Sequence, residues 1–190
     1  MQREKRIRFG ARRARWSCGI LATLLLAAGK ARATEVCVSN DSEFAAAAYD
    51  ATYLQSTIKL VQGTYHIAGT TLDENVSGGA YGFRGFSLLG GYTANCASRQ
   101  IDPANTHIVS AAPASFSAEM VGNLTIEGIG FTGSAAGVDL GWRDYENDIP
   151  GSVQLIFRRN AVSGSHGIPV SIDWVADNSH TLSAHLVNNL

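Results

Sequence analysis

The chain has 190 residues and a formal net charge of −1, yet nine of its 15 lysines and arginines and one of its 16 acidic residues fall within the first 33 positions. The remaining stretch of about 157 residues keeps six basic against 15 acidic residues, and a surface of that sign excludes nucleic acid and anionic lipid as partners while favouring solubility or divalent cations. It is also long enough for one domain with a real core.

Residues 1–33 read as a secretory signal peptide. Arg3, Lys5, Arg6, Arg8, Arg12, Arg13 and Arg15 make a basic lead, Cys18 to Gly29 is apolar, and Ala31-Arg32-Ala33 is a small-x-small cleavage site before Thr34. The apolar stretch falls short of the roughly 20 residues that span a bilayer, so no transmembrane segment is expected after processing. Of the cysteines, Cys37 and Cys96 survive. In an oxidising compartment they either form a disulfide, worth on the order of 4 kcal/mol for a loop of this size, or remain as two separately buried thiols.

Residues 34–55 form an N-terminal capping segment. Asn40 can cap a helix while Glu43 reaches back to it, and Ala45 to Ala48 have the highest helix propensity available. Phe44, Ala48, Ala51 and Leu54 would share one face, suited to plugging the open end of a stack of strands.

Beyond it, residues 56–190 are short strand-like runs broken by glycine and asparagine, and the runs repeat. LTIEGIGFTGS (Leu124 to Ser134) overlays LIFRRNAVSGS (Leu155 to Ser165) at an offset of 31, placing Leu124 on Leu155, Ile126 on Phe157, Phe131 on Val162 and Gly133 on Gly164. IKLVQG (Ile58 to Gly63) overlays FSLLGG (Phe86 to Gly91) at an offset of 28, and Asn160 finds Asn188 at the same offset. Alternating apolar residues leading into a glycine turn are what a strand with one buried face requires, and the recurrence is the signature of a solenoid. The asparagines are either a hydrogen-bonded ladder from coil to coil or ordinary turn residues.

With its signal peptide, capping helix, IKLVQGTY strand and turn, Leu88 to Ile108 segment and LTIEGIGFTG repeat, the chain resembles the secreted right-handed parallel β-helix repeat proteins of bacteria, in the broad pectate-lyase-like group. The resemblance implies an all-β, right-handed parallel β-helix and a secreted, periplasmic or outer-surface location. Such relatives continue for more coils, whereas this chain stops inside a repeat at Leu190; a fragment, a truncated remnant without function, or a unit completed by a partner covering the open C-terminal coil is expected.

The enzymes of that group place acidic residues on the outer face of one sheet, holding calcium against an acidic sugar or hydrolysing a glycosidic bond. Asp139 and Asp173 are the catalytic candidates, each following an inward aliphatic residue in Val138-Asp139-Leu140 and Ile172-Asp173-Trp174. Stacking Val138 on Ile172 would bring the carboxylates about 5 Å apart, close enough to share Ca2+ or to act as a retaining pair. Stacking Val138 on Val170 pairs Asp139 with Ser171 instead, and its offset of 32 lies closer to the upstream 31. In the following loop Trp142 and Tyr145 could stack on sugar rings while Asp144, Glu146 and Asp148 bind hydroxyls or a cation, with Arg143 as a further ligand-binding candidate; the alternative is a solvated connection whose aromatics cover the core edge. Arg158 and Arg159 could serve as a base or substrate clamp, but they sit at an expected bend and read as solvated. His180 and His185 are on opposite faces of a strand, His66 and His107 lack ligand-spaced neighbours, and no P-loop, dinucleotide, nucleophile-elbow or zinc motif is present. The expected role is therefore a non-catalytic surface, adhesion or carbohydrate-binding module without a cofactor, with a polysaccharide lyase or glycoside hydrolase acting on an acidic polysaccharide as the alternative.

Overall fold

A computed structural model describes residues 34–51, 56–67, 71–73, 85–110, 116–120, 122–133, 137–143, 151–164, 169–175 and 180–190. The expected signal peptide lies outside the described residues. Strand β1 (Thr34–Val38) leads into helix α1 (Asp41–Ala51), followed by β2 (Ser56–Val61), β3 (Gly63–Ile67), β4 (Thr71–Asp73), β5 (Phe86–Tyr92), β6 (Thr106–Ser110), β7 (Phe116–Met120) and β8 (Leu124–Glu127). Then come β9 (Gly130–Gly133), β10 (Val138–Arg143), β11 (Ser152–Arg158), β12 (Ala161–Ser163), β13 (Val170–Val175) and β14 (Thr181–Val187).

The strands form three sheets, ordered β1-β2-β5-β8-β11-β14, β3-β6-β9-β12 and β4-β7-β10-β13. From β2 onward the chain visits the first, second and third sheet in rotation, four times, and returns to the first with β14. Each sheet ladder is parallel, so a strand's partner is always one lap away in sequence. Mostly parallel strands in stacked sheets fit a β-solenoid.

Period-two alternation decides what each strand buries. In β11, Val153, Leu155 and Phe157 are buried while Ser152, Gln154 and Arg158 are exposed. Register then aligns the inward residues into columns: Ile58, Leu88, Ile126, Phe157 and Leu186 in the first sheet, and Tyr65, Ile108, Phe131 and Val162 in the second. The columns meet in one core, where the Phe131 ring lies 5.2 Å from Phe116 and 6.2 Å from Phe157. Each fully buried side chain of this size contributes about 1.5–3 kcal/mol. On the last described lap the columns have a neighbour on one side, and among the described residues the exposed large apolar side chains Ile172, Val175, Leu186, Val187 and Leu190 lie there.

The offset of 31 holds for Leu124 on Leu155, Ile126 on Phe157 and Phe131 on Val162. The offset of 28 does not. Ile58 pairs with Leu88 rather than Phe86, and the register slips further between Lys59 and Val61, which pairs with Tyr92. A shift of two residues leaves every side chain on its own face, so the apolar pattern alone cannot choose between these registers. The slip falls beside Gly91, whose φ of 90° and whose approach to the Gln100 carbonyl leave no room for a Cβ.

Asn160 likewise has Asn189, not Asn188, as its counterpart one lap on. Asn160 is fully buried; its Oδ1 accepts from Ile129 N at 3.1 Å and its Nδ2 donates to Ile126 O at 3.0 Å. Asn189 repeats this one lap later, accepting from Asn160 N at 3.1 Å and donating to Phe157 O at 2.9 Å. The amides thus form a relay to the backbone of the preceding lap rather than a side-chain ladder. The residue before each corner takes positive φ: Gly128 at 73°, Arg159 and Asn188 at 53°.

Helix α1 is held at its start by Asn40, whose Oδ1 accepts from Glu43 N at 3.0 Å. Glu43 reaches back to Ser39 N at 2.8 Å, one residue earlier than expected. Phe44, Ala47 and Ala48 are buried, and the Phe44 ring sits 5.8 Å from Tyr65. The Tyr65 hydroxyl lies 2.8 Å from both Val38 O and Val61 O, joining β1 to β2, and burial pushes its pKa up to about 12. The disulfide forms between Cys37 on β1 and Cys96 in the loop after β5, with Cα atoms 5.9 Å apart. A disulfide fits an oxidising, non-cytoplasmic setting.

Replacing Asn160 with Ala strands Ile129 N and Ile126 O in the core, at about 1–3 kcal/mol for each unsatisfied group, read as a lower urea midpoint with unchanged m. Reducing the Cys37–Cys96 bridge, which closes a separation of 59 residues, is expected to lower unfolding free energy by about 4 kcal/mol in the same titration.

Candidate functional site

Two outer faces carry the polar chemistry. On the third sheet, β10 buries Val138, Leu140 and Trp142, so Asp139 and Gly141 face outward. The register pairs Val138 with Val170, Asp139 with Ser171 and Gly141 with Asp173. Asp139 and Asp173 are both exposed, but they are diagonal neighbours with Cα atoms roughly 8 Å apart, from a strand spacing of about 4.8 Å and two residues of rise. The stacked arrangement at about 5 Å is not formed.

The register adds two positions that sequence reasoning missed. Glu119 pairs with Gly141 on the side of β10 opposite Asp173, and Asp73 pairs with Glu119. Ser117 pairs with Asp139, which in turn pairs with Ser171, so hydroxyl residues flank Asp139 on both neighbouring strands. The lap from Asp73 to Glu119 is 46 residues and that from Glu119 to Gly141 is 22, so no constant repeat could have aligned them.

Trp142 is not a sugar platform. It is fully buried, its Nε1 donates to Gly122 O at 2.9 Å, and it aligns with Met120 and Trp174 in the core. It shares the inward parity of Val138 and Leu140, a signal already present in the sequence. Arg143 ends β10 opposite Val175; its side chain, like Asp144, Tyr145, Glu146 and Asp148, lies outside the described residues. Among the described residues no group of three His, Cys, Asp or Glu is placed to hold a metal ion.

The second face is the outer side of the first sheet. Glu127 ends β8 at an outward position, yet its side chain is only 3% exposed because guanidinium groups enclose it. Arg99 Nη1 is 2.7 Å from Oε2, and the same side chain donates to Gly90 O at 2.8 Å and Glu127 O at 3.0 Å. Arg158 Nε stands 2.7 Å from Oε1 and Arg159 Nη1 3.6 Å from it, so both arginines are ion-paired while their side chains stay about half exposed. Burial pushes the Glu127 carboxyl up, but the hydrogen bonds and charges of Arg99 and Arg158 together outweigh it and hold the pKa below the usual carboxylate range.

Arg99 comes from the segment Thr93–Asn105, which the disulfide also anchors; its guanidinium lies over the Tyr92 ring at 5.3 Å, with Lys59 Nζ at 5.6 Å. Next to this cluster, Gln154, Ile156 and Arg158 of β11 and His185 and Val187 of β14 line a shallow groove of about 230 Å³.

Because Glu127 has a depressed folded pKa, its stabilisation is fully present above the unfolded glutamate value near pH 4.3 and disappears as pH falls through the folded value. Thermal melts from pH 7 down to 3 are expected to show this acid loss, and Glu127→Ala is expected to remove about 3 kcal/mol at pH 7 and flatten the profile, since it leaves Arg99 unpaired and largely buried.

Neither protein-family models, curated proteins nor solved structures give a match to this chain, so its reading rests on the faces just described.

Proposed function

We propose that the chain is an exported right-handed parallel β-helix repeat protein of the pectate-lyase-like type, acting as a non-catalytic surface or carbohydrate-binding module. The observation that carries this reading is the outer face of the third sheet, where Ser117, Asp139, Ser171 and Asp173 surround Gly141 on adjacent parallel strands. Short hydroxyl and carboxylate side chains at strand spacing offer donors and acceptors to successive sugar hydroxyls, and a glycine at the centre lets a ring approach the backbone. The disulfide supports an extracytoplasmic destination.

A polysaccharide lyase or glycoside hydrolase acting on an acidic polysaccharide is the second reading, favoured by one observation. The diagonal spacing of Asp139 and Asp173, about 8 Å between Cα atoms, is compatible with the 6.5–9.5 Å between carboxyl groups that admits a water in inverting enzymes.

Retention on immobilised neutral and acidic polysaccharides, with unsaturated products and new reducing ends followed in parallel, tests both. The binding-module reading expects retention without products, and a loss of roughly tenfold or more in affinity for the Asp139→Ala/Asp173→Ala variant at unchanged melting temperature. Product release that disappears in the variant would establish the enzyme reading; retention untouched by the variant would remove this face from both.

A further inference from the structure

We propose that the groove on the outer face of the first sheet binds a small monocarboxylate with an apolar body, independently of any ligand on the third sheet. The floor is aliphatic: Ile156 of β11 and Val187 of β14 line it, and Val187 remains nearly half exposed. Strand register sets Arg158 opposite Val187 and His185 opposite Ile156, with Gln154 one step further along β11. A cation therefore stands at one end of an apolar strip, and neutral polar side chains stand toward the other.

The charge balance identifies what that cation is for. Three guanidiniums converge on the single carboxylate of Glu127, leaving two positive charges in excess on a chain whose residues after position 33 are strongly acidic. Arg99 is spent on Glu127 and on two backbone carbonyls, and its side chain is 16% exposed. Arg158 is different. Its side chain is 48% exposed and approaches Glu127 through Nε at 2.7 Å. A guanidinium held by Nε to a fixed carboxylate is pre-oriented, and its other edge presents the paired donors that match a second carboxylate.

The other half of the ligand follows from the floor. Ile156 and Val187 offer no hydrogen bonds and no aromatic ring, so they select a hydrocarbon body rather than a polyhydroxylated one. At about 230 Å³ the groove is below the roughly 300 Å³ at which pockets begin to take drug-sized ligands, which limits the occupant to a short chain or a single ring. Gln154 and His185 leave the far end polar.

Hexanoate, 1-hexanol and acetate separate the two contributions, since they carry the charge with the body, the body alone and the charge alone. Titrated into the isotope-labelled full chain, hexanoate is expected to give saturable amide shifts at Ile156, Arg158, His185 and Val187, with hexanol and acetate each weaker by roughly tenfold or more. Arg158→Gln should erase the advantage of hexanoate over hexanol. Because that variant also disturbs Glu127, Val187→Asp serves as the second: it keeps Arg158 and sets a carboxylate opposite it that repels and competes with that of the ligand, so hexanoate binding should fall by at least the same factor while the melting temperature holds. Equal binding of hexanol and hexanoate, shifts that never saturate, or hexanoate binding undiminished in Val187→Asp would overturn the assignment.

Discussion

Every strand in this protein is hydrogen-bonded to a strand one lap away, and that requirement shapes the rest of the molecule. Parallel pairing cannot be closed by a two-residue hairpin; it needs a connection that travels and returns, and here two further sheets supply the return path. Inward side chains then stack on their equivalents from the neighbouring laps, so the core is a set of columns such as Ile58, Leu88, Ile126 and Phe157. The columns explain why the ends matter. Helix α1 buries Phe44, Ala47 and Ala48 against the first lap, whereas Leu186 and Ile172, at inward positions of the last lap, stay partly exposed.

Corners are the weak points of such an arrangement, because the backbone must turn without losing its hydrogen bonds to the lap below. Asn160 and Asn189 solve this with side-chain amides that replace missing backbone partners, while Gly128, Arg159 and Asn188 absorb the turn at positive φ. Outward positions are freed from packing and can carry chemistry. The third sheet spends them on Ser117, Asp139, Ser171 and Asp173, and the first on an ion cluster in which Glu127 ties the loop after β5 to β11. The same Glu127 orients Arg158, so a stabilising ion pair and an exposed cation are parts of one structure.

The disulfide and the Arg99 contacts act on one segment from two sides. Cys96 holds the loop to β1, before the helix, and Arg99 holds it to β8, three strands further along the sheet. The loop therefore spans the outer face of the first sheet from β1 to β8. This lengthens that lap, which is why Phe86 meets Leu124 across 38 residues while neighbouring laps of the same sheet close in about 30.

Much of the architecture was legible in the sequence because a strand with one buried face must alternate, and a repeated lap must repeat its apolar residues. Those two rules gave the parallel repeat, the offset of 31 at Leu124 and Leu155, the helix start at Asn40 and the pairing of Asp139 with Ser171. They also held the inward parity of Trp142, which its place beside a polar loop obscured. What only the tertiary structure decided were quantities that alternation leaves free. A two-residue slip keeps every face, so alternation alone could not choose Leu88 over Phe86 as the partner of Ile58. Laps of unequal length brought Asp73 and Glu119 into register with Gly141 without any fixed spacing. The enclosure of Glu127 by Arg99, Arg158 and Arg159 likewise joins residues 28 to 32 positions apart, and it exists because the fold, not the local sequence, sets them around one carboxylate.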